Sequence, residues 1–443
     1  MSGMTQRVLV VGAGLAGCEA AWQLVRRGVP VRLVDIKPKS FTPAHRSEGF
    51  AELVCSNSLR ANNVENAVGL LKEEMRRLGS LVMEAADACR VPAGGALAVD
   101  REGFSAYITE RLKGHPLVEF CCEEVTALPQ GLSIVATGPL TTAPLFDAVS
   151  QRFGGQNLSF FDAAAPIVTF ESLDKDKIFF QSRYGKGTAD YINCPMDKEQ
   201  YEAFYEALVT AQTAQLHGFE DDRVFEGCMP VETMARRGPD TLRFGPLKPV
   251  GLIDPATGRE PYAVVQLRQD DAARTLYNMV GFQTHLKFGE QKRVFGMIPG
   301  LEKAEFVRYG VMHRNTYLNG PELLEPTYRC RQEKELYFAG QMTGVEGYVE
   351  SASSGLVAGI NAAHQALGLP PVVFPVQTAI GALAAYVSTP GQSNFQPMNV
   401  NFGIVAAPDF KFRGRREKNE GLARRALDAL QGVLEQMPEC LKN

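Results

Sequence analysis

The pattern of apolar and polar positions marks out a few elements directly. Val8 to Val11 is a short apolar run of the kind a buried strand has, and it breaks into Gly12, Gly14 and Gly17. A helix is predicted from that turn to about Arg27, then a second strand over Val29 to Val34 that ends in Asp35. Leu132 to Ala136 reads as a strand running into Gly138. Glu335 to Ala339 reads as another, opening into a loop that carries Gly340, Gln341, Gly344, Gly347 and Tyr348. A helix is expected from near Ser351, carrying Gly355 and Gly359. Between these segments, Ile167 to Phe170 and Tyr262 to Leu267 have strand character, and Lys198 to His217 has helical character. Beyond Pro370-Pro371 follow a helical stretch over Thr378 to Val387, a loop rich in Pro, Asn and Phe, and a last helix over about Arg415 to Met437.

The first two strands, their glycine turn and Asp35 have a specific physical use. Gly12 permits the tight turn, Gly14 lets backbone N–H groups approach a pyrophosphate, and Gly17 lets the helix pack close to the strand. The helix N-terminus then meets the phosphates with the positive end of its dipole. Asp35 lies eighteen positions past Gly17, where a carboxylate accepts hydrogen bonds from both ribose hydroxyls and disfavours a 2′-phosphate. Gly138 and the Gly340-Gln341 loop favour FAD over NAD. The first suits the adenosine half, and the second leads into a helix whose N-terminus suits the flavin edge that gains negative charge on reduction, with small residues to Gly355 leaving room for the ring. Gln341 stands where many two-dinucleotide flavoproteins carry Asp, which makes that contact neutral. No second GxGxxG follows a strand, so a nicotinamide reductant is expected to visit the flavin face transiently.

The expected fold class is therefore α/β, a Rossmann-like FAD-binding domain of the glutathione-reductase type with an inserted α/β domain. Its parts are residues 1–160 and 331–370 for the flavin domain, 161–330 for the insertion and 371–443 for a helical tail.

Composition narrows the class of protein. With 443 residues, 45% hydrophobic and 22% charged, the chain is an ordinary globular protein with room for a large core. No apolar run reaches the roughly 18 residues needed to span a bilayer, and the start of the chain lacks the layout of a secretory signal, so the cytoplasm is the expected compartment. Nine cysteines at irregular spacings argue against a disulfide framework, and no Cys/His cluster suggests a metal. A net charge of −4 means that a nucleic-acid partner has to be held by a local patch. Lys411, Arg413, Arg415 and Arg416 head such a run in the tail.

Six segments then resemble a known family: VLVVGAGLAGCEAAWQL (8–24), ELVCSNSLR (52–60), FEGCMPVETMARRG (225–238), GPLKPVGL (245–252), VMHRNTYLN (311–319) and YFAGQMTGVEGYVESASSGLVAGINAA (337–363). Together they are similar to the folate- and FAD-dependent tRNA uracil-5-methyltransferases, the TrmFO family. The glycine fingerprint is shared with the related GidA (MnmG) flavoproteins, whereas ELVCSNSLR, EGCMPVE and HRNTYLN discriminate. The resemblance implies methylation at C5 of the uridine at position 54 in the tRNA T loop. The carbon comes from 5,10-methylenetetrahydrofolate, and FAD recharged by NAD(P)H supplies the electrons.

Uracil C5 is a poor nucleophile until a thiolate adds at C6, so the chemistry calls for a cysteine. The resemblance makes Cys228 that nucleophile, followed by Arg236, Arg237, Arg243 and Lys248, which would favour a thiolate and hold tRNA phosphates if they lie near it. It gives Cys55 a second role by the flavin, as the base removing the C5 proton or as a thiol stabilising a flavin-bound one-carbon intermediate. Cys18 reads as packing. Tyr348 is expected to cover the pterin, with His313 and Asn315 on the pterin edge. Two other readings use the same residues: a GidA-like modifier of the tRNA wobble uridine, and a non-catalytic flavin-binding RNA scaffold or redox sensor. The oligomeric state is not legible.

Overall fold

Val8, Val10 and Val11 are buried, and the strand they form, β1 (Val8–Val11), is flanked on both sides by parallel neighbours. In the computed structural model, which describes residues 7–153, 158–163, 165–185, 188–214, 229–271, 273–310, 312–392 and 395–438 (backbone only at 158–163 and 312–316), the first sheet has five parallel strands. Across it they run β16 (Leu336–Phe338), β7 (Ser133–Val135), β1, β2 (Val31–Asp35) and β6 (Val118–Cys122). The last strand in the chain thus pairs beside β7, with Leu336 opposite Ser133.

Two helices lie against each other over this sheet. α1 (Leu15–Arg26) starts at the glycine turn, and α11 (Tyr348–Ala366) starts after Gly347, three residues before the expected start near Ser351. Gly347 at φ 110° turns the chain so that Tyr348 is already helical. The two helices touch through small residues: a Cβ on Gly355 would stand 2.1 Å from the Ala16 carbonyl oxygen, and one on Gly359 2.7 Å from that of Ala20.

Between β2 and β6 the chain builds a small antiparallel sheet that the apolar pattern did not announce, β3 (Ser58–Ala61), β5 (Ala96–Val99) and β4 (Arg90–Val91), with α2 (Ala67–Arg77), α3 (Leu81–Ala88) and α4 (Arg101–Lys113). Ser80 and Asp100 cap α3 and α4 by accepting from the Met83 and Gly103 amides. α2 buries two ionisable groups. Lys72 donates to the Leu59 and Ala61 carbonyls, and Glu74 accepts from the Ala379 and Ile380 amides at the start of α12 (Ala379–Ser388).

Burial pushes the Glu74 carboxyl up to about 8, against the opposing pull of those two amides. A carboxyl raised above its unfolded pKa of about 4.3 adds stability at low pH that is lost as pH climbs through the folded value. The expected result is that the melting temperature of the protein, measured relative to that of Glu74→Gln, falls between about pH 5 and pH 8. A flat or rising difference in paired melting curves would contradict the assignment.

A second, six-stranded antiparallel sheet carries its own core. It runs β10 (Phe179–Phe180), β11 (Tyr191–Met196), β12 (Ala263–Gln269), β13 (Leu276–Met279), β9 (Ile167–Thr169) and β14 (Phe306–Arg308). Helices α6 (Lys198–Val209), α7 (Val231–Ala235), α8 (Thr241–Phe244) and α9 (Phe288–Phe295) accompany it, while α5 (Ala143–Phe153) and α10 (Gly320–Leu323) flank the crossing between the two sheets. That crossing is an antiparallel pair, β8 (Leu158–Ala163) with β15 (Met312–Tyr317). α6 begins with a full capping box from Asp197 and Gln200 and ends at Val209, short of the expected His217, which lies outside the described residues.

The tail folds back on the parallel-sheet side of the molecule. Residues 398–400 run along the glycine loop: Met398 exchanges backbone hydrogen bonds with Gly344 and Glu346, and the Val400 amide donates to Glu350. The last helix, α13 (Arg415–Gln436), packs on α2. Among the described residues no helix is long and apolar enough to cross a membrane.

Candidate active site

The glycine turn before α1 is built as its spacing suggests. Gly12 sits at φ 101°, and a Cβ there would stand 2.5 Å from the Ala136 carbonyl oxygen. A Cβ on Gly17 would stand 1.7 Å from the Gly12 carbonyl oxygen, so the helix rests directly on the turn. Gly14 differs from both, because a Cβ there would meet nothing within 4 Å. Its open side faces a cleft of about 1120 Å³, mouth included, lined also by Asp35, Gly138, Gly340, Gln341, Tyr348 and Ser351.

Asp35 is oriented by its own backbone surroundings. Its carboxylate accepts from the Ala13 amide at 2.6 Å and the Lys37 amide at 2.9 Å. Each oxygen keeps acceptor capacity for a ribose hydroxyl. Across the cleft, the Gly340 amide donates to Ser354 Oγ, and the Gln341 side-chain amide donates to Glu346. Gly355 lies in the α1–α11 contact against Ala16, where its missing side chain serves helix packing, and is not among the residues that line the cleft. Lys37, Thr42, His45, Glu52 and Val54 line the cleft as well. Glu52 and Val54 belong to the ELVCSNSLR motif, whereas Lys37, Thr42 and His45 carried no motif and their place soon after β2 was the available signal.

Cys55 follows Val54, which lines this cleft, and is tied to Tyr348 at the start of α11. The Cys55 and Ser56 amides donate to the Tyr348 hydroxyl at 2.7 and 3.2 Å, and that hydroxyl donates to Cys55 Sγ at 3.1 Å. Burial, reinforced by the neighbouring thiol, pushes the Tyr348 phenol well above its ordinary value, which keeps it a proton donor toward the sulfur. Tyr348 therefore has a task beyond the expected stacking: its ring lines the cleft while its hydroxyl holds the Cys55 loop.

Arginines that no motif flagged surround that loop. Arg101 donates to the Leu53 carbonyl and pairs with Asp270, and Arg268 donates to Ser56 Oγ at 2.7 Å and Asn57 Oδ1 at 3.3 Å. Buried Asn57 completes the tie by donating to the Val99 and Gln269 carbonyls. Cys18, by contrast, is fully buried with its thiol pushed up by desolvation, as a packing residue should be.

Of the remaining site residues, only some are described. Cys228 lies outside the described residues, as do the side chains of His313 and Asn315 on β15. The chain just after Cys228 is fixed by α7, where the Val231 amide donates to the Gln283 carbonyl and buried Glu232 accepts from Thr284 Oγ1 and the His285 amide. Arg236 and Arg237 are exposed at the end of that helix. Arg243 is drawn back onto the Tyr262 ring at 3.7 Å and onto Asp240. In the tail, Lys411, Arg413 and Arg415 are exposed and form no ion pair among the described residues. Arg416 is spent on Glu65 and Glu420, so the patch is less cationic than its sequence suggests.

A parallel sheet with an open glycine cradle at one helix N-terminus, a carboxylate at the end of the next strand and a second helix N-terminus across the cleft defines a dinucleotide-binding flavoprotein. The residues present fit FAD: Gly14 leaves the space a pyrophosphate needs, and the α11 end offers its dipole to a ring.

Residues 7–370 match the family described as Glucose inhibited division protein A. Curated relatives named methylenetetrahydrofolate--tRNA-(uracil-5-)-methyltransferase TrmFO include that of Listeria monocytogenes serotype 4b (strain F2365), 62% identical over 98% of this chain and 100% of its own. Those of Acetivibrio thermocellus and Enterococcus faecalis are 63% identical over 96% of this chain and 98% of their own, and 57% over 98% and 100%, respectively. Among solved structures, Aquifex aeolicus GidA (form II crystal) superposes with a TM-score of 0.70 at 17% identity, covering 98% of this chain and 74% of that one, a likeness of fold. The chain belongs to the TrmFO family within this GidA-like group.

Proposed function

We propose that this protein transfers the one-carbon unit of 5,10-methylenetetrahydrofolate to C5 of a tRNA uridine, at position 54 of the T loop, and reduces it to methyl. The observation that carries the reading is the thiol of Cys55, next in the chain to Val54 of a dinucleotide cleft and hydrogen-bonded by a tyrosine that lines that cleft. The names of the relatives, which specify folate, tRNA and uracil C5, support it.

Cys228 is the proposed nucleophile, adding at uracil C6 so that C5 gains enolate character. Cys55 then takes the C5 proton or holds the one-carbon unit, with Tyr348 donating to its sulfur in either role. Bound FAD, reduced by NAD(P)H, supplies the electrons that turn the transferred carbon into a methyl group. Tyr348, His313 and Asn315 are the proposed pterin contacts. Arg236, Arg237, Lys411, Arg413 and Arg415 are the proposed phosphate contacts, Arg416 contributing less. The target base has to leave its stack, at a cost of a few kcal/mol that phosphate binding offsets. Work on tRNA also implies the cytoplasm.

The test is incubation with tRNA unmodified in its T loop, folate labelled in the methylene carbon, and NADH. Label on C5 of uridine 54 is the expected result. Label at the wobble uridine, or flavin reduction with no carbon transferred, overturns the proposal.

A further inference from the structure

The groups around Cys55 come from both sheets, and their charges are unequal. From α4 comes Arg101, donating to the Leu53 carbonyl and paired with Asp270, whose carboxylate is almost fully buried. From β12 comes Arg268, itself buried and hydrogen-bonded to the two residues that follow Cys55. From β14 comes Arg308, which forms no ion pair among the described residues and lies within the electrostatic reach of Cys55, Tyr348, Arg101 and Glu52. Tyr348 faces the sulfur from α11 as a neutral donor. Lys37, His45 and Glu52 stand further along the cleft, with Lys37 and Glu52 3.9 Å apart. Three guanidinium groups and Lys37 thus face two carboxylates, Asp270 paired with Arg101 and Glu52 near Lys37 and Arg308. A thiol placed in such a field, with a hydrogen-bond donor on its sulfur, is held as the thiolate.

We infer that Arg268 and Arg101 are positioning residues: bridging from the antiparallel sheet and α4 to the Cys55 loop, they fix its sulfur against Tyr348 and, with Arg308, hold it as a thiolate at neutral pH. This rests on reading Cys55 as a residue of the active site, but its test needs neither tRNA nor folate. Arg268 also explains a feature of the architecture. The strand that carries it belongs to the antiparallel sheet, so the reactive loop of the parallel-sheet side is in register only when the two parts are docked.

The test is alkylation of the full-length, flavin-loaded protein by iodoacetamide over a pH series. The Cys55 peptide is resolved by mass spectrometry, so that Cys89, Cys121 and Cys122 serve as internal references. The midpoint of Cys55 labelling is expected near or below neutral pH. Arg268→Gln and Arg308→Gln should each raise it by about one unit, a tenfold loss of thiolate at fixed pH. Asp270→Asn, which leaves Arg101 uncompensated, should lower it. Ser56→Ala keeps every charge and should move the midpoint little while broadening the labelling rate. Loosening of the loop would shift the arginine and aspartate variants in the same direction, so opposite signs identify the electrostatic role. A Cys55 midpoint at the ordinary value of about 8.5, or shifts of one sign in all variants, overturns the inference. Methyl transfer failing in the wild-type protein while these shifts appear would instead overturn the proposed function alone.

Discussion

Cys55→Ala is expected to abolish methyl transfer, by at least about 10³-fold, while the protein purifies with its flavin in place. The sulfur is the reacting atom in either role proposed for it. The pyrophosphate turn and Asp35 belong to other elements, so cofactor retention is not tied to it. Tyr348→Phe separates the sulfur from its setting. Phenylalanine keeps the ring that lines the cleft but removes the hydroxyl that donates to Sγ and accepts from the Cys55 and Ser56 amides. Losing a hydrogen bond to a charged group costs about 1.5–3 kcal/mol, so turnover should fall about 10- to 100-fold. Single-turnover transfer of labelled carbon measures both. Full activity in the alanine variant removes Cys55 from the mechanism.

The second large effect concerns the two glycines that look alike in sequence. Valine at position 355 would drive a branched side chain into the Ala16 backbone, where a Cβ already comes within 2.1 Å of the carbonyl oxygen. Backbone on the far side cannot swing away, so α11 has to separate from α1. Gly355→Val is expected to cost about 3 kcal/mol or more and to release the flavin, because both helices point their N-termini at the cleft. Gly14→Ala should do the reverse. Its φ of −75° suits alanine and its Cβ meets nothing, so stability is unchanged, while flavin affinity drops at least about tenfold because the methyl group takes the space for the pyrophosphate. Melting curves of flavin-free protein and flavin titrations distinguish the two. Equal loss of affinity without destabilisation in both variants would refute this division of labour.

These contrasts show what could be read from the chain and what could not. The turn at Gly12, Gly14 and Gly17, the acid at Asp35 and the returning strand at Leu336 are signals of short range, and each survived as structure. The small sheet of β3, β4 and β5 escaped because strands of two to four residues leave no period to detect. A glycine such as Gly355, in a helix over a flavin, looks like room for a ring; the partner helix shows that the same glycine makes room for a backbone. Arg101, Arg268 and Arg308 meet at Cys55 from elements far apart in the chain, and no motif spacing encodes such a meeting. The lysine and arginines near 411–416 were legible as a charge run, but the Glu65 that neutralises Arg416 sits on another part of the fold.

The edge position of β16 next to β7 has a consequence for how the chain is made. During synthesis the ribosome releases four of the five parallel strands long before the fifth exists, and α1 emerges without the helix that covers its small-residue face. The antiparallel sheet is complete by Arg308, ahead of that closure. The nascent protein therefore finishes its intervening sheet first and gains the last walls of its cleft, Gly340, Gln341, Tyr348 and Ser351, only afterwards, with the strap at 398–400 following last.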